Sequence, residues 1–224
     1  MSLGKNDYVS VVYKDHPFTG YPDLLAEYLV SRYELSKGHR LLEVGCGRGE
    51  LLRGFIRKGL KGYGADQSDA ARKICPEAEI RLGNLEEQIP FKDDFFDVVY
   101  SKSVIEHFYH PEKFVNEIYR VLKPEGLVIT LTPDWSHVYK SFYEDYTHRT
   151  PFTLTSLRDI MLIHGFEQVQ VEKFLQLPVV WKMPWVKLVS AVVAFTAPRC
   201  LGKRSKFVRF SKEVMLLGTA VKPG

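Results

Sequence analysis

LLEVGCGRGELL, residues Leu41 to Leu52, is an apolar run that stops at three alternating glycines and resumes with helical spacing. The run reads as a buried strand, His39 to Val44, and the residues from Glu50 to Lys58 read as a helix ending at Gly59. Glycines between a strand and a helix let the backbone turn tightly and approach a ligand closely. The first turn of the helix offers unpaired N–H groups and a positive dipole end, which suit a carboxylate. The spacing G-x-G-x-G of Gly45, Gly47 and Gly49 departs from the G-x-G-x-x-G of dinucleotide sites. An acid, Glu43, already stands at the strand end, and Asp66 follows Gly47 by 19 positions, where a carboxylate accepts hydrogen bonds from ribose hydroxyls. Gly83-Asn84-Leu85 comes after a third strand, and Asn84 can bond the amino group of a base.

Outward from this core, strands and helices alternate. Residues 22–35 read as a helix opened by Pro22, 60–65 as a strand, and 68–73 as a helix with Ser68 at its N-cap. Strands follow at 80–82 and 96–100, then a helix at 111–122, a turn over 123–126 and a strand at 127–131. A helix at 155–163 closes at His164-Gly165, and 166–173 and 212–221 read as two last strands. This alternation predicts a Rossmann-like, doubly wound α/β domain. The expected sheet has seven mostly parallel strands with helices on both faces. The last two strands lack a crossover of the earlier kind, so one of them is expected to run antiparallel at the edge. The expected organisation is a single domain over 1–224. It comprises a helical cap (1–37), a cofactor-binding core (38–133), an acceptor-side loop (134–154) and an amphipathic, basic insertion (174–211).

The 224 residues are 45% hydrophobic, enough for a full core, and the net charge of +4 gives no global case for nucleic acid. Cys46, Cys75 and Cys200 have no paired spacing, which suits a reduced, cytoplasmic protein. No apolar leader and no stretch long enough to span a bilayer is visible.

LLEVGCGRGE, GADQS, GNLEEQIPFKDDFFDVVYSKSVIEHF and EIYRVLKPEGLVITLTP, in this order over residues 38–133, resemble the class I S-adenosylmethionine methyltransferases. The small-molecule branch that includes the quinone-biosynthesis enzymes is the most similar. The resemblance implies S-adenosylmethionine as cofactor and S-adenosylhomocysteine as product. It implies that Glu43, Gly45, Cys46, Gly47, Gly49, Asp66, Gln67, Asn84, Leu85 and Ser101 line the cofactor. Asn84 replaces the aspartate common at its place. NAD is the rival cofactor, which an intact G-x-G-x-x-G would favour.

Methyl transfer needs an aligned nucleophile, and a base where the acceptor must lose a proton. His107, in SVIEHF after the fourth strand, is one candidate base; the alternative is that Glu106 and His107 brace the loop. The polar, aromatic loop Asp134 to Thr153 holds a second, His148, with Asp145 as its partner; a capped loop before the next helix is the alternative. DYTHRTPFT, followed by SLRDIMLIHGF, is similar to a stretch in methyltransferases of sugar and polysaccharide pathways. Ser101-Lys102-Ser103-Val104 stands where adenine N-methyltransferases carry N-P-P-[YFW], and no Pro-Cys pair occurs there. No acidic cluster has Mg²⁺ spacing, so no metal is expected. In residues 184–197, Trp185, Leu188, Val189, Val192 and Val193 form an apolar helical stripe, followed by Arg199, Lys203, Arg204, Lys206, Arg209 and Lys212. Residues 184–212 can therefore touch an anionic membrane surface, or serve as a lid or dimer helix packed on protein. The expected activity is O-methylation of a small or lipid-linked acceptor, in saccharide or quinone-type biosynthesis. An RNA methyltransferase and a non-catalytic cofactor-binding protein are the alternatives.

Overall fold

The structure, a computed structural model, describes residues 9, 11, 16–198, 201–202 and 204–224. Arg199, Cys200 and Lys203, named above, lie outside those residues. Seven strands form one sheet: β1 (Arg40–Val44), β2 (Lys61–Asp66), β3 (Glu79–Leu82), β4 (Phe96–Lys102), β5 (Leu122–Pro133), β6 (Glu167–Phe174) and β7 (Met215–Val221), in the order β3-β2-β1-β4-β5-β7-β6. Strands β1 to β5 pair in parallel, and β7 runs antiparallel to both β5 and β6. The fold class expected from the sequence is the one observed.

The antiparallel strand lies one place in from the edge, and β6 is the edge itself. Residue chemistry explains the choice. MLLGTAV of β7 is buried almost throughout, as a strand covered on both faces must be. EQVQVEKF of β6 exposes its charged residues, which suits an unpaired edge.

Helices α1 (Tyr21–Arg32), α2 (Glu50–Arg57) and α3 (Ala71–Ile74) cover one face, where Leu25, Leu29, Leu52, Phe55 and Ala71 pack with Leu41 and Tyr100. Helices α4 (Pro111–Val121) and α6 (Leu154–Ile163) cover the other, where Phe114, Ile118, Leu157 and Met161 pack with Leu42, Val99 and Val128. The start of α6 follows from its sequence: the Thr153 hydroxyl accepts from Ser156 N–H while the Ser156 hydroxyl accepts from Thr153 N–H.

Three local expectations change. The helix expected at 68–73 begins only at Ala71, because Ser68 Oγ accepts from Ala70 N–H in a turn that precedes it. The turn at 123–126 is a bulge within β5, with Glu125 at φ 63 and its N–H on Lys222 O. The strand expected at 212–221 begins at Met215, because the basic stretch before it forms helix α9 (Lys206–Lys212), capped by Ser205.

The loop after β3, which the sequence assigns to a base, is held from below by one guanidinium. Arg120 donates to Ile89 O, Phe91 O, Asp93 and Glu117, and Glu117 in turn accepts from Ile89 N–H. Arg120→Met keeps the aliphatic stem and leaves these acceptors unmet. It should lower unfolding stability by about 1–3 kcal/mol in a denaturant titration; a change under about 0.5 kcal/mol, the usual range for surface substitutions, would rule out this anchoring role.

Candidate active site

The order of the sheet reverses between β1 and β4, and ligands of such sheets bind outside the carboxyl ends at that point. Two loops leave there in contact. Gly45 has φ 74, and a Cβ on it would lie 2.3 Å from Val104 Cγ2. Gly47 has φ 50 with nothing within 4 Å of an added Cβ, so open space lies above it. Its N–H donates to Asp66 Oδ2 at 2.7 Å, and Ser68 N–H donates to Asp66 Oδ1 at 2.9 Å. The carboxylate at the end of β2 is thereby fixed beside the glycine loop.

Glu43 and Tyr100 are direct partners across β1 and β4, and both side chains are buried. Glu43 Oε2 and Tyr100 Oη have no hydrogen-bond partner. Burial, with a smaller contribution from Asp66, pushes Glu43 up to about 8. Lys102, which the sequence reading passes over, acts electrostatically on both Glu43 and Glu106, and its own pKa is lowered by burial. Two unmet polar groups inside a packed sheet are costly unless a ligand supplies a partner.

The remaining expected cofactor residues divide. Gly49 opens α2 with φ 79, and Gln67 is exposed. Cys46 and Leu85 have buried side chains, and burial raises the Cys46 thiol far above its usual range. Asn84 spends its side chain locally: Oδ1 accepts from Glu86 N–H, and Nδ2 donates to Glu87. Ser101 Oγ is buried 2.9 Å from Thr130 Oγ1, bracing β4 against β5.

On the β4 side, His107, Asp145 and His148 come together from segments about forty positions apart in the chain. The His107 and His148 rings lie 4.8 Å apart. Arg149 and Thr150 N–H donate to Glu106 O, fastening the 134–154 loop there. Asp145 takes a different partner from the one the sequence suggests. Its Oδ1 accepts from Thr147 N–H at 2.9 Å and from Thr147 Oγ1 at 2.6 Å, and Thr147 Oγ1 meets His107 Nδ1 at 2.8 Å. His148 Nδ1 instead lies 2.6 Å from Phe142 O, because the short 3₁₀ turn Phe142–Glu144 brings that carbonyl over the ring.

Glu106, His107 and His148 offer three ligand-type atoms within 4.8 Å of one another, the kind of set that holds a divalent cation. Sequence spacing hides this set. A further His–carboxylate pair was missed: His137 Nδ1 lies 2.6 Å from Oδ2 of the buried Asp134. The D-x-x-H spacing at the start of the short helix α5 (Trp135–Val138) is its signal, since i and i+3 share a helix face.

The described part of the N-terminal segment reaches the glycine loop. Arg48 donates to His16 O at 2.7 Å, pairs with Glu50, and lies over the Phe18 ring.

Residues 42–130 match the family model described as a methyltransferase domain. A probable S-adenosylmethionine-dependent methyltransferase of Mycolicibacterium smegmatis is 38% identical over 102 residues, 43% of this chain and 39% of that one. The family match covers about two fifths of the chain and marks residues 42–130 as similar to a methyltransferase domain. A ubiquinone biosynthesis O-methyltransferase of Alkalilimnicola ehrlichii is 34% identical over 43% of this chain and 42% of its own length. The matched stretch thus spans about two fifths of these relatives. Among solved structures, the methyltransferase fold recurs in a chain of the complex between the Haloferax volcanii Trm112 methyltransferase activator and a methyltransferase. That chain has a TM-score of 0.72 at 21% identity and covers 99% of this chain and 100% of that one. A phosphoethanolamine N-methyltransferase of Haemonchus contortus, solved with S-adenosylhomocysteine, has a TM-score of 0.67 at 21% identity over 89% and 52%.

The unpartnered Glu43 Oε2 and the open space over Gly47 fit the ammonium and carboxylate of the cofactor's amino-acid end. With its pKa near 8, Glu43 is mostly protonated at pH 7. An ammonium beside it favours the carboxylate. Binding of S-adenosylhomocysteine should therefore release up to about one proton at pH 7, and affinity should fall as pH drops below 8, by at most about tenfold per unit. Calorimetry in two buffers of different ionisation enthalpy reads this directly, and identical heats would refute it.

Proposed function

We propose that this chain transfers a methyl group from S-adenosylmethionine to a hydroxyl oxygen of a small or lipid-linked acceptor, with His107 as the base. The observation that carries this reading is the chain Asp145–Thr147–His107 at the carboxyl end of β4. The Thr147 hydroxyl spends its one proton on Asp145, so its oxygen accepts from His107 Nδ1–H. The lone pair of the ring is then on Nε2, the form a base requires. Burial first, and His148 second, push His107 down to about 4, so it is neutral at physiological pH. A carbonyl can only accept, so His148 also donates from Nδ1.

When bound, S-adenosylmethionine supplies a methyl group on a sulfonium centre whose thioether leaves readily. The residues around it hold and exclude. We assign Glu43 to the ammonium, the Gly45-Cys46-Gly47-Gly49 loop to the carboxylate, Asp66 and Gln67 to the ribose hydroxyls, and the loop Gly83-Asn84-Leu85 to the base. Ser101 is assigned to bracing the sheet. The segment 134–154 covers the acceptor side and excludes water. The ubiquinone biosynthesis O-methyltransferase among the relatives supports oxygen as acceptor atom, and the likeness of 145–163 to saccharide-pathway methyltransferases supports a sugar-type acceptor.

The test is transfer of a labelled methyl group into RNase-treated small-molecule and lipid extracts, with His107→Ala and His148→Ala made separately. His107→Ala should lower turnover about 100-fold or more, with S-adenosylhomocysteine binding retained. Wild-type turnover should show no loss through His107 between pH 5 and pH 8, because that ring is neutral throughout. Near-normal turnover in His107→Ala would remove the assigned base. Label incorporated only when RNase treatment is omitted would remove the small-molecule reading, and binding without turnover on any extract would remove the enzymatic one.

A further inference from the structure

Between β6 and β7 the chain forms α7 (Pro178–Lys182), α8 (Val186–Thr196) and α9. Helix α8 packs inward through Val186 and Ser190, both buried. Ser190 Oγ donates to Ser211 Oγ at 2.8 Å, and Lys212 Nζ donates to Ala194 O at 2.6 Å, so α9 is clamped along α8. Of the stripe read from the sequence, Trp185, Leu188, Val189 and Val192 are exposed and Val193 is half-buried; Phe195 extends the exposed face. Trp185, Leu188, Val192 and Phe195 are 64%, 74%, 60% and 92% exposed. Single exposed apolar residues are ordinary, but a stripe of them on one helix marks a contact.

The charge around the stripe is one-sided. Residues 173–212 hold nine Lys and Arg and no Asp or Glu, while the rest of the chain carries 22 basic against 27 acidic residues. Among the described residues, Lys182, Lys187, Arg204, Lys206 and Arg209 are exposed. A second copy docked through the same face would set these cations against themselves, which opposes a symmetric dimer. No helix among the described residues is long and apolar enough to cross a membrane. An eleven-residue helix, about 16 Å long, instead suits lying in the plane of an interface.

We propose that α8 and the basic segment after it dock this chain on an anionic lipid bilayer. The four apolar side chains enter below the headgroups, and the flanking Lys and Arg meet the phosphates. Helix α8 also walls a cavity of about 420 Å³, shared with His137, Leu175 and Ser211, which places a pocket beside the docked face. Docking does not depend on methyl transfer and is measured without it.

The experiment is co-sedimentation of the full chain with vesicles of phosphatidylcholine alone, and with vesicles of which about a third is phosphatidylglycerol, at low and high salt. The comparison is Leu188→Ser/Phe195→Ser, at two exposed positions where S-adenosylhomocysteine binding and thermal unfolding should be unchanged. The wild type should bind the anionic vesicles at low salt, much more weakly at high salt or on phosphatidylcholine alone, and the variant should bind at least ~10-fold more weakly. No binding to anionic vesicles, equal binding by the variant, or a solution dimer that the variant dissociates would each overturn the proposal. The last of these would give the face to a second copy.

Discussion

The closest constraint in the molecule is the approach of Gly45 to Val104. β1 and β4 lie side by side at the point where the sheet order reverses, so the loops after them must part in opposite directions from nearly one place. With φ 74 and 2.3 Å to the Val104 side chain, only a residue without Cβ fits at position 45. The consequences extend outward. Gly45 N–H reaches Ala65 O, Gly47 N–H reaches Asp66, and α2 begins at the next glycine with its first turn turned toward the cleft. Glu43 and Tyr100 are left just below, buried, with Glu43 Oε2 and Tyr100 Oη unpartnered.

The acceptor side is built by another means, from residues far apart in sequence. The Glu106 carbonyl takes two N–H groups from the 134–154 loop, and this fastening sets His148 against His107 and Thr147 under its Nδ1. Thr132 Oγ1 donates to the buried Glu106, whose carboxyl is raised to about 7 by burial. Two rings with oriented Nδ1 atoms and a buried carboxyl form a preorganised polar cluster, the arrangement in which a positioned base acts without reorganisation.

Local rules carried the sequence reading a long way. The glycine loop, the helix end at His164-Gly165 and the helix at 111–122 were legible because each is decided within a few residues. The burial difference between β7 and β6 was also legible in composition, but the reading looked for crossovers and so placed the antiparallel strand at the edge. Asn84 and Ser101 show what residue type leaves out: their side chains also meet neighbours, Asn84 in its own turn and Ser101 at Thr130. The contact of Thr147 with His107 depends on where a forty-residue separation closes, which no spacing encodes. The apolar stripe of α8 was visible as a period; its direction was not, because outward and inward stripes share one pattern.

The cofactor site is the centre of the account, and titration of the protein with S-adenosylhomocysteine by calorimetry, beside an Asp66→Ala variant, tests it most directly. The expected result is micromolar binding by the wild type and binding at least ~10-fold weaker by the variant, since two ribose hydroxyls lose a charged acceptor. Equal affinity in the two proteins, or no binding by the wild type, would contradict it.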